Sequence, residues 1–225
     1  MSNYFYVSPE QLIKDRAEFA QKGIARGRSI VAAIYDKGVV MVAENPSASL
    51  NKVSEIYDRI AFAGVGKYNE FDRLREAGIR WADSTGFTYS REDVDARALA
   101  NYYAQHLGDM FTEGQKPLEV EILVAQLGNK LRPTKLYRVA YEGTILDEPR
   151  FSVLGGDAET IKDRFALSEG SPQTLKTTLK DAASALAGPD RFIPAAELEV
   201  GILEDRGNRR TFTRLTHDEV SELLS

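Results

Sequence analysis

The stretch from residue 29 to residue 66 constrains the fold more than any other part of the chain. Residues 29–35 are rich in β-branched side chains and alanine, and residues 39–44 form a second continuous apolar run. Asp36-Lys37-Gly38 between them supplies a turn, so the two runs are predicted to form an antiparallel hairpin. Because neither run alternates between polar and apolar residues, both faces of this hairpin are expected to be buried.

Capping signals and hydrophobic periodicity predict the order of the other elements. A helix is predicted to begin at Pro9, after a Ser8-x-x-Gln11 capping box, and to end at Gly23. The complete order is helix, strands, two helices, strands, two helices, strands and a final helix. Strands joined by hairpins, with helices in pairs, favour antiparallel sheets covered by helix layers, and therefore a single α+β domain.

Three details of this prediction concern the middle of the chain. One helix is predicted over residues 67–83, with Gly86 beyond its end, and a second is predicted to be capped by Ser90 and Asp93 and to stop at Gly114. The strands predicted at 118–126, 135–141 and 151–154 are expected to form one antiparallel meander.

Composition excludes several classes of function. The net charge of −5, with basic and acidic residues interspersed, does not suit a nucleic-acid-binding protein. No apolar run approaches the ~20 residues that a membrane-spanning helix needs, and the N-terminus lacks the pattern of a signal peptide, so a cytoplasmic location is expected. With no cysteine and only two histidines in 225 residues, we expect neither a metal site nor a cofactor.

Few residues suggest chemistry by their local pattern. The sequence contains neither a Gly-x-Ser-x-Gly elbow nor a phosphate-binding Gly-x-x-x-x-Gly-Lys loop, and Gly64-Val65-Gly66 lacks the third glycine of a dinucleotide fingerprint. Glu44 would be a buried carboxylate at the end of the second strand, but its partner cannot be identified from the sequence. Lys52 lies in a polar loop, where a lysine is normally solvated.

A family resemblance adds to this interpretation. Residues 24–74, with the preceding helix SPEQLIKDRAEFAQKG, resemble the α-type subunit of the actinobacterial proteasome core particle. The later stretches KPLEVEILVA, LYRVAYEGTILDEPRFSVLGG and ELEVGILED fit it too. The resemblance implies a four-layer αββα sandwich of two antiparallel sheets, as in N-terminal-nucleophile hydrolases, with an extra N-terminal helix.

The resemblance also implies that the chain is not catalytic. The β-type subunits of this family use an N-terminal threonine as nucleophile. Here that position falls on Arg28, the acidic position at the end of the second strand holds Glu44, and the position of the catalytic lysine falls near Glu55. A guanidinium cannot act as a nucleophile. Two alternatives remain: a hydrolase activated by cleavage immediately before Ser29, and a self-assembling shell protein without a protease partner.

For α-type subunits the resemblance implies a gate and a docking surface. Such subunits form the outer homo-heptameric rings on proteasome β subunits and restrict access to unfolded proteins. The implied gate is an N-terminal tail, residues 1–7, ahead of a domain at 8–225, and its residues are Tyr4, Phe5, Tyr6, Val7, Ser8 and Pro9. Lys52 and Gly27 are implied in a pocket between adjacent subunits, where the lysine pairs with the C-terminal carboxylate of a ring-shaped AAA ATPase that drives ATP-dependent protein degradation.

Overall fold

The computed structural model describes residues 8–129, 132–166, 173–207 and 210–225. Two stacked antiparallel sheets of five strands each lie at the centre of this described part. In chain order the helices are α1 (Pro9–Ala25), α2 (Tyr68–Thr88), α3 (Ala96–Thr112), α4 (Ala158–Ala166), α5 (Leu175–Ala187) and α6 (His217–Leu224). The strands are β1 (Ile30–Tyr35), β2 (Gly38–Glu44), β3 (Val53–Tyr57), β4 (Ile60–Gly66), β5 (Val120–Gln126), β6 (Lys135–Val139), β7 (Ile145–Glu148), β8 (Phe151–Leu154), β9 (Leu198–Glu204) and β10 (Phe212–Arg214).

The two sheets are sandwiched between helix layers, which confirms the predicted four-layer α+β fold. The first sheet has the strand order β10-β9-β2-β1-β8, and the second has the order β3-β4-β5-β6-β7. Helices α4, α5 and α6 cover the first sheet, whereas α2 and α3 cover the second. A third apolar layer fills the space between the sheets. None of the helices in the described ranges is long and apolar enough to cross a bilayer.

The hairpin of β1 and β2 forms as predicted, and every residue of β2 is buried. Val40 and Val42 contact the helix layer, whereas Val39 and Met41 contact the second sheet. Successive side chains of a strand point to opposite faces, so a strand between two apolar layers needs apolar residues at every position. This explains why the two runs show no polar alternation.

Two glycines that were predicted to end helices lie inside them instead. Helix α1 continues past Gly23 to Ala25, and α2 continues past Gly86 to Thr88. Gly23 lies against the side chain of Glu119, and Gly86 lies against the Tyr57 hydroxyl, so a β carbon at either position would overlap a neighbouring side chain. The prediction was wrong because each glycine is required for close packing rather than for helix termination.

The caps of α1 and α3 differ in part from those predicted from the sequence. Ser8 caps α1 by accepting a hydrogen bond from the Gln11 backbone N–H at 3.2 Å, but the Gln11 side chain donates to Asp15 rather than completing the box. Ser90 caps only a short 3₁₀ turn at Arg91–Asp93. Helix α3 begins at Ala96 with Asp95 as its cap, and it ends at Thr112, before Gly114.

The predicted three-strand meander is divided between the sheets. Strands β5 and β6 pair with each other in the second sheet, but β8 pairs with β1 in the first, with Ile30 opposite Leu154. The chain therefore crosses from one sheet to the other after β7. Alternation predicts a strand but carries no information about which sheet accepts it, and this is why the prediction was wrong.

Helix α1 lies outside the four layers and is tied to the end of α3. The Arg16 guanidinium donates hydrogen bonds to the carbonyls of Phe111 at 2.6 Å, Gly114 at 2.7 Å and Met110 at 3.0 Å. Met110 and Phe111 lie in the last turn of α3 and Gly114 follows it, where a cation is favoured by the unpaired carbonyls and the helix dipole. The middle of α1 is thereby held against the end of α3.

Candidate docking site

Glu44 is a buried carboxylate held by two arginines at the end of β2. It is 5% exposed, and the Arg191 guanidinium donates to its two oxygens at 2.7 and 2.9 Å. Arg28, which follows α1, pairs with the same carboxylate. Burial by itself raises the pKa of Glu44, but the hydrogen bonds and attraction from Arg191, together with Arg28, outweigh burial and hold the pKa below its ordinary value.

Lys52 lies immediately beside this pair, although the sequence alone predicts a solvated loop lysine. Its ammonium donates to the backbone carbonyl of Arg28 at 2.7 Å and to that of Glu44 at 3.1 Å. Burial lowers the pKa of Lys52 to about 8, against the attraction of Glu199 and Glu44, which raise it, while the nearby Arg28 lowers it further. An ammonium has three N–H donors, so two are engaged and one remains for a ligand.

The cation beside Arg28 and Glu44 is therefore Lys52. Glu55, near which the position of the family's lysine is expected to fall, does not contact this group and accepts a hydrogen bond from Arg210 at 2.8 Å. The loop between β2 and β3 carries no periodic pattern from which its register could be counted, and only the folded chain shows which residue reaches the first sheet.

Two residues of this site were missed in the sequence. Arg191 lies in the loop after α5, 147 positions from Glu44. Glu199 lies in β9, and its carboxylate accepts from the Lys52 backbone N–H at 2.8 Å. Glu199 does carry a signal, since it is the single charged residue in the interior of the otherwise apolar strand LEVGILE. Arg191 carries none.

Gly27 lies on the other side of the same chain segment. It lines an open cavity of about 330 Å³ together with Gly23, Arg26, Gly66, Lys67 and Glu119. A β carbon at Gly27 would lie 2.8 Å from Val65 Cγ1 and 2.9 Å from the Gly66 nitrogen, so the position admits only glycine without rearrangement. Lys52 does not line this cavity. Within one chain, Lys52 is linked to Gly27 through the next residue, Arg28, whose carbonyl accepts a hydrogen bond from Lys52.

The implied gate falls mostly outside the described residues. Tyr4, Phe5, Tyr6 and Val7 are not among them, whereas Ser8 and Pro9 are the exposed cap and first residue of α1. In the described part of the chain there is no cluster of three or more histidine, aspartate or glutamate side chains that could hold a metal ion.

Sequence comparisons place this fold and site in a family. Residues 24–187 match the family described as Proteasome subunit, which is more than half of the chain. The chain belongs to the proteasome subunit family. It is similar to proteins named Proteasome subunit alpha from three organisms. The one from Acidimicrobium ferrooxidans is 59% identical over 224 residues, which span 100% of this chain and 97% of that protein.

Two further relatives are less similar to this chain but also match its whole length. The protein from Sanguibacter keddieii is 52% identical, with 100% of this chain and 90% of that protein covered. The protein from an Arthrobacter species is 50% identical, with 100% and 99% covered. These relatives confirm the resemblance to an actinobacterial proteasome α subunit.

Proposed function

We propose that this chain is a non-catalytic α subunit of a proteasome core particle. Its homo-heptameric rings lie outside the β rings, gate the axial channel and dock a ring-shaped ATPase during ATP-dependent degradation of unfolded proteins in the cytoplasm. The observation that carries the proposal is the group at the head of β1, where the Arg28 side chain is paired with Glu44 and the Arg28 carbonyl accepts a hydrogen bond from Lys52. The family resemblance implies that residue 28 occupies the nucleophile position of the β-type subunits.

This group is not suited to nucleophilic catalysis. Residue 28 is joined to α1 through Gly27, whose backbone N–H donates to the Ile24 carbonyl at 2.9 Å, so there is no free amine at this point to act as a base. The Arg28 side chain lacks a hydroxyl. Ser29, the nearest hydroxyl, is only 8% exposed.

The same group is suited to binding a carboxylate. Four cations, Lys52, Arg28, Arg191 and Arg214, lie with the two carboxylates of Glu44 and Glu199, and the Arg28 and Arg191 side chains are each about half exposed. The local charge is therefore positive, and the Lys52 ammonium keeps one donor free. Such a site favours an anionic group such as the C-terminus of a partner chain.

Several weak contacts explain how such a site holds an activator. A partly exposed lysine–carboxylate pair contributes only ~0.2–1 kcal/mol, which is too little for a single C-terminal tail to hold the ATPase on the ring. Linked tails that engage several subunits of one ring raise the overall avidity by up to ~10²–10⁴. Docking at Lys52 is thus expected to depend on the ring.

Exposed apolar side chains support assembly with other subunits. Leu12, Ile13 and Phe19 are exposed on α1, and Phe87 at the end of α2 is 93% exposed. These patches lie on different helices. A group of exposed apolar side chains on one helix is typical of a protein interface, so the three on α1 suit contact with another subunit.

Co-expression with the β subunit of the same organism tests the proposal. Native mass spectrometry should show a particle that contains heptameric rings of both chains, and this particle should cleave peptides. The α chain within it should keep the mass of all 225 residues, apart from the initiator methionine. A chain trimmed to Ser29 would instead support an active hydrolase. Rings that never combine with the β subunit would support a shell protein.

A further inference from the structure

Glu199 is a buried carboxylate with no role in the function described so far. It lies in β9 between Leu198 and Val200, which face the helix layer, and it is 8% exposed. Removing a carboxylate from water is costly unless hydrogen-bond donors replace the water. The donors that surround Glu199 therefore indicate what this residue does.

The donors come from the two ends of one loop. The Asn45 side-chain amide and the Lys52 backbone N–H both donate to Glu199 Oε2 at 2.8 Å. The Val53 backbone N–H donates to Oε1 at 3.1 Å, and the Arg214 guanidinium lies 3.4 Å from the same oxygen. Asn45 begins the loop that follows β2, and Lys52 ends it. One carboxylate thus holds both ends.

The residues between these ends are much less constrained. Residues 46–51 form no regular element and are mostly exposed. Inside the loop, the Asn45 amide also donates to the Leu50 carbonyl at 2.7 Å, so Asn45 transmits its fixed position to the residues just before Lys52. Backbone hydrogen bonds also hold the two ends, from the Asn45 N–H to the Glu197 carbonyl at 2.7 Å and from the Gly64 N–H to the Lys52 carbonyl at 3.0 Å, and Glu199 is the side chain that joins the two ends to each other.

We propose, building on the docking function given above to Lys52, that Glu199 is the positioning residue for Lys52. Its carboxylate fixes the backbone from which the Lys52 side chain starts. The ammonium consequently reaches the carbonyls of Arg28 and Glu44 and presents its third N–H to a carboxylate of the partner.

The negative charge of Glu199 also favours the protonated form of Lys52, which is the form that binds a carboxylate. Its attraction raises the pKa of Lys52 against burial, and the Glu44 carboxylate adds to this, whereas Arg28 opposes it. Arg191 and Arg214 are the other charged groups at the site, and they pair with Glu44 and Glu199 respectively. This attraction acts through space whether or not Glu199 holds the loop, so removing its charge tests the attraction, and releasing the loop while the charge is kept tests the positioning.

The first experiment measures the titration of Lys52 in the assembled particle without any ATPase. The rate at which trace acetic anhydride acetylates Lys52 is followed against pH by mass spectrometry in the wild type, Glu199→Gln and Glu55→Gln. Glu199→Gln should lower the midpoint by about one pH unit, because the attraction that raises the pKa of Lys52 is removed. Glu55→Gln, a matched loss of charge that is paired with Arg210, should leave the midpoint unchanged. An unchanged midpoint in Glu199→Gln would overturn the proposal.

A second variant covers the case in which Glu199→Gln does not assemble. Asn45→Ala keeps the carboxylate but releases the start of the loop. Lys52 should then reach water more often, and its midpoint should move toward higher pH, opposite in sign to the effect of Glu199→Gln. A wild-type profile in Asn45→Ala would contradict the proposed clamp.

The third measurement is a double-mutant cycle with Lys52→Met, read out as the ATPase concentration that half-maximally stimulates proteolysis. Glu199→Gln should raise this concentration about twofold to fivefold in the wild-type background, on the scale of one such ion pair, and should have no further effect in Lys52→Met. If Glu199→Gln raised the half-maximal ATPase concentration by the same factor in both backgrounds, Glu199 would act independently of Lys52. If Lys52→Met itself has no effect, the docking function fails, and the acetylation profile still decides whether Glu199 positions Lys52.

Discussion

The Lys52 ammonium donates a hydrogen bond to the backbone carbonyl of Arg28 at 2.7 Å. This contact joins the loop after β2 to the segment that connects α1 with β1. It places the Lys52 ammonium beside Arg28, whose side chain pairs with Glu44. The proposed docking function assigns to this small group of residues the binding of a carboxylate.

Lys52→Met should abolish most ATPase-stimulated proteolysis while leaving assembly and basal peptide cleavage intact. We expect the stimulated rate to fall at least about tenfold, because ~0.2–1 kcal/mol is lost at every engaged tail of the ring. The measurement is degradation of an unfolded protein with and without the ATPase. Lys37→Met, in the exposed turn between β1 and β2, is the matched control. If the ATPase stimulated the Lys52→Met particle as strongly as the wild type, the docking site would lie elsewhere on the subunit.

Stimulation by the ATPase should also depend on pH. Only the protonated amine attracts a carboxylate, and burial lowers the pKa of Lys52 to about 8, so docking is complete well below that value and is lost as the pH rises through it. The ratio of stimulated to basal cleavage should therefore fall by half near pH 8. In Lys52→Arg the ratio should be lower at neutral pH, since the guanidinium geometry differs, but flat across this range. Equal pH profiles in both proteins would contradict a role for Lys52 ionisation.

Deleting residues 2–7 should raise basal peptide cleavage several-fold, because it removes the aromatic tail assigned to the gate. Ser8 is retained, since its hydroxyl caps α1 and such caps contribute about 1 kcal/mol. The control is Thr216→Ala with the tail present, which removes the cap of α6 and should destabilise that helix without opening the channel. If the deletion leaves peptide cleavage at the wild-type rate, residues 2–7 do not gate access.

Arg16→Met should loosen α1. The substitution leaves the carbonyls of Met110, Phe111 and Gly114 without their donor, and a hydrogen bond to a charged group contributes ~1.5–3 kcal/mol. Hydrogen exchange of the α1 amides should become about tenfold faster or more. Arg80→Met removes an exposed pair with Glu76 and should change exchange little. Equal exchange in both variants would show that Arg16 does not anchor the helix.

Gly27→Ala should destabilise the connection between α1 and β1. Its β carbon would meet Val65 and the Gly66 nitrogen at 2.8 and 2.9 Å, and overpacking of this kind costs ~1–3 kcal/mol. The expected result is a lower melting temperature of the assembled particle. Gly108→Ala, whose β carbon would lie 3.7 Å from the Glu142 carbonyl, should be neutral or slightly stabilising in α3. Similar melting temperatures for both variants would contradict the close packing at Gly27.

Local patterns in the sequence were sufficient for most of the fold. The β1–β2 hairpin and the start of α1 at Pro9 depend on neighbouring residues, and both are present. Gly23 and Gly86 misled the prediction because a glycine that permits close packing has the same local signature as one that ends a helix. The pairing of β8 with β1 was missed because pairing is a property of distant segments.

The sequence by itself determined the fold class, the family and the identity of Lys52 as a residue of interest. Only the tertiary structure decided what Lys52 touches. Arg191 and Glu199 are separated by 147 residues from Glu44 and Lys52, their respective partners, and pairing of β9 with β2 brings Glu199 beside the loop that carries Lys52. A charge in a loop acquires its environment from such distant contacts, because burial and neighbouring charges act through space rather than along the chain.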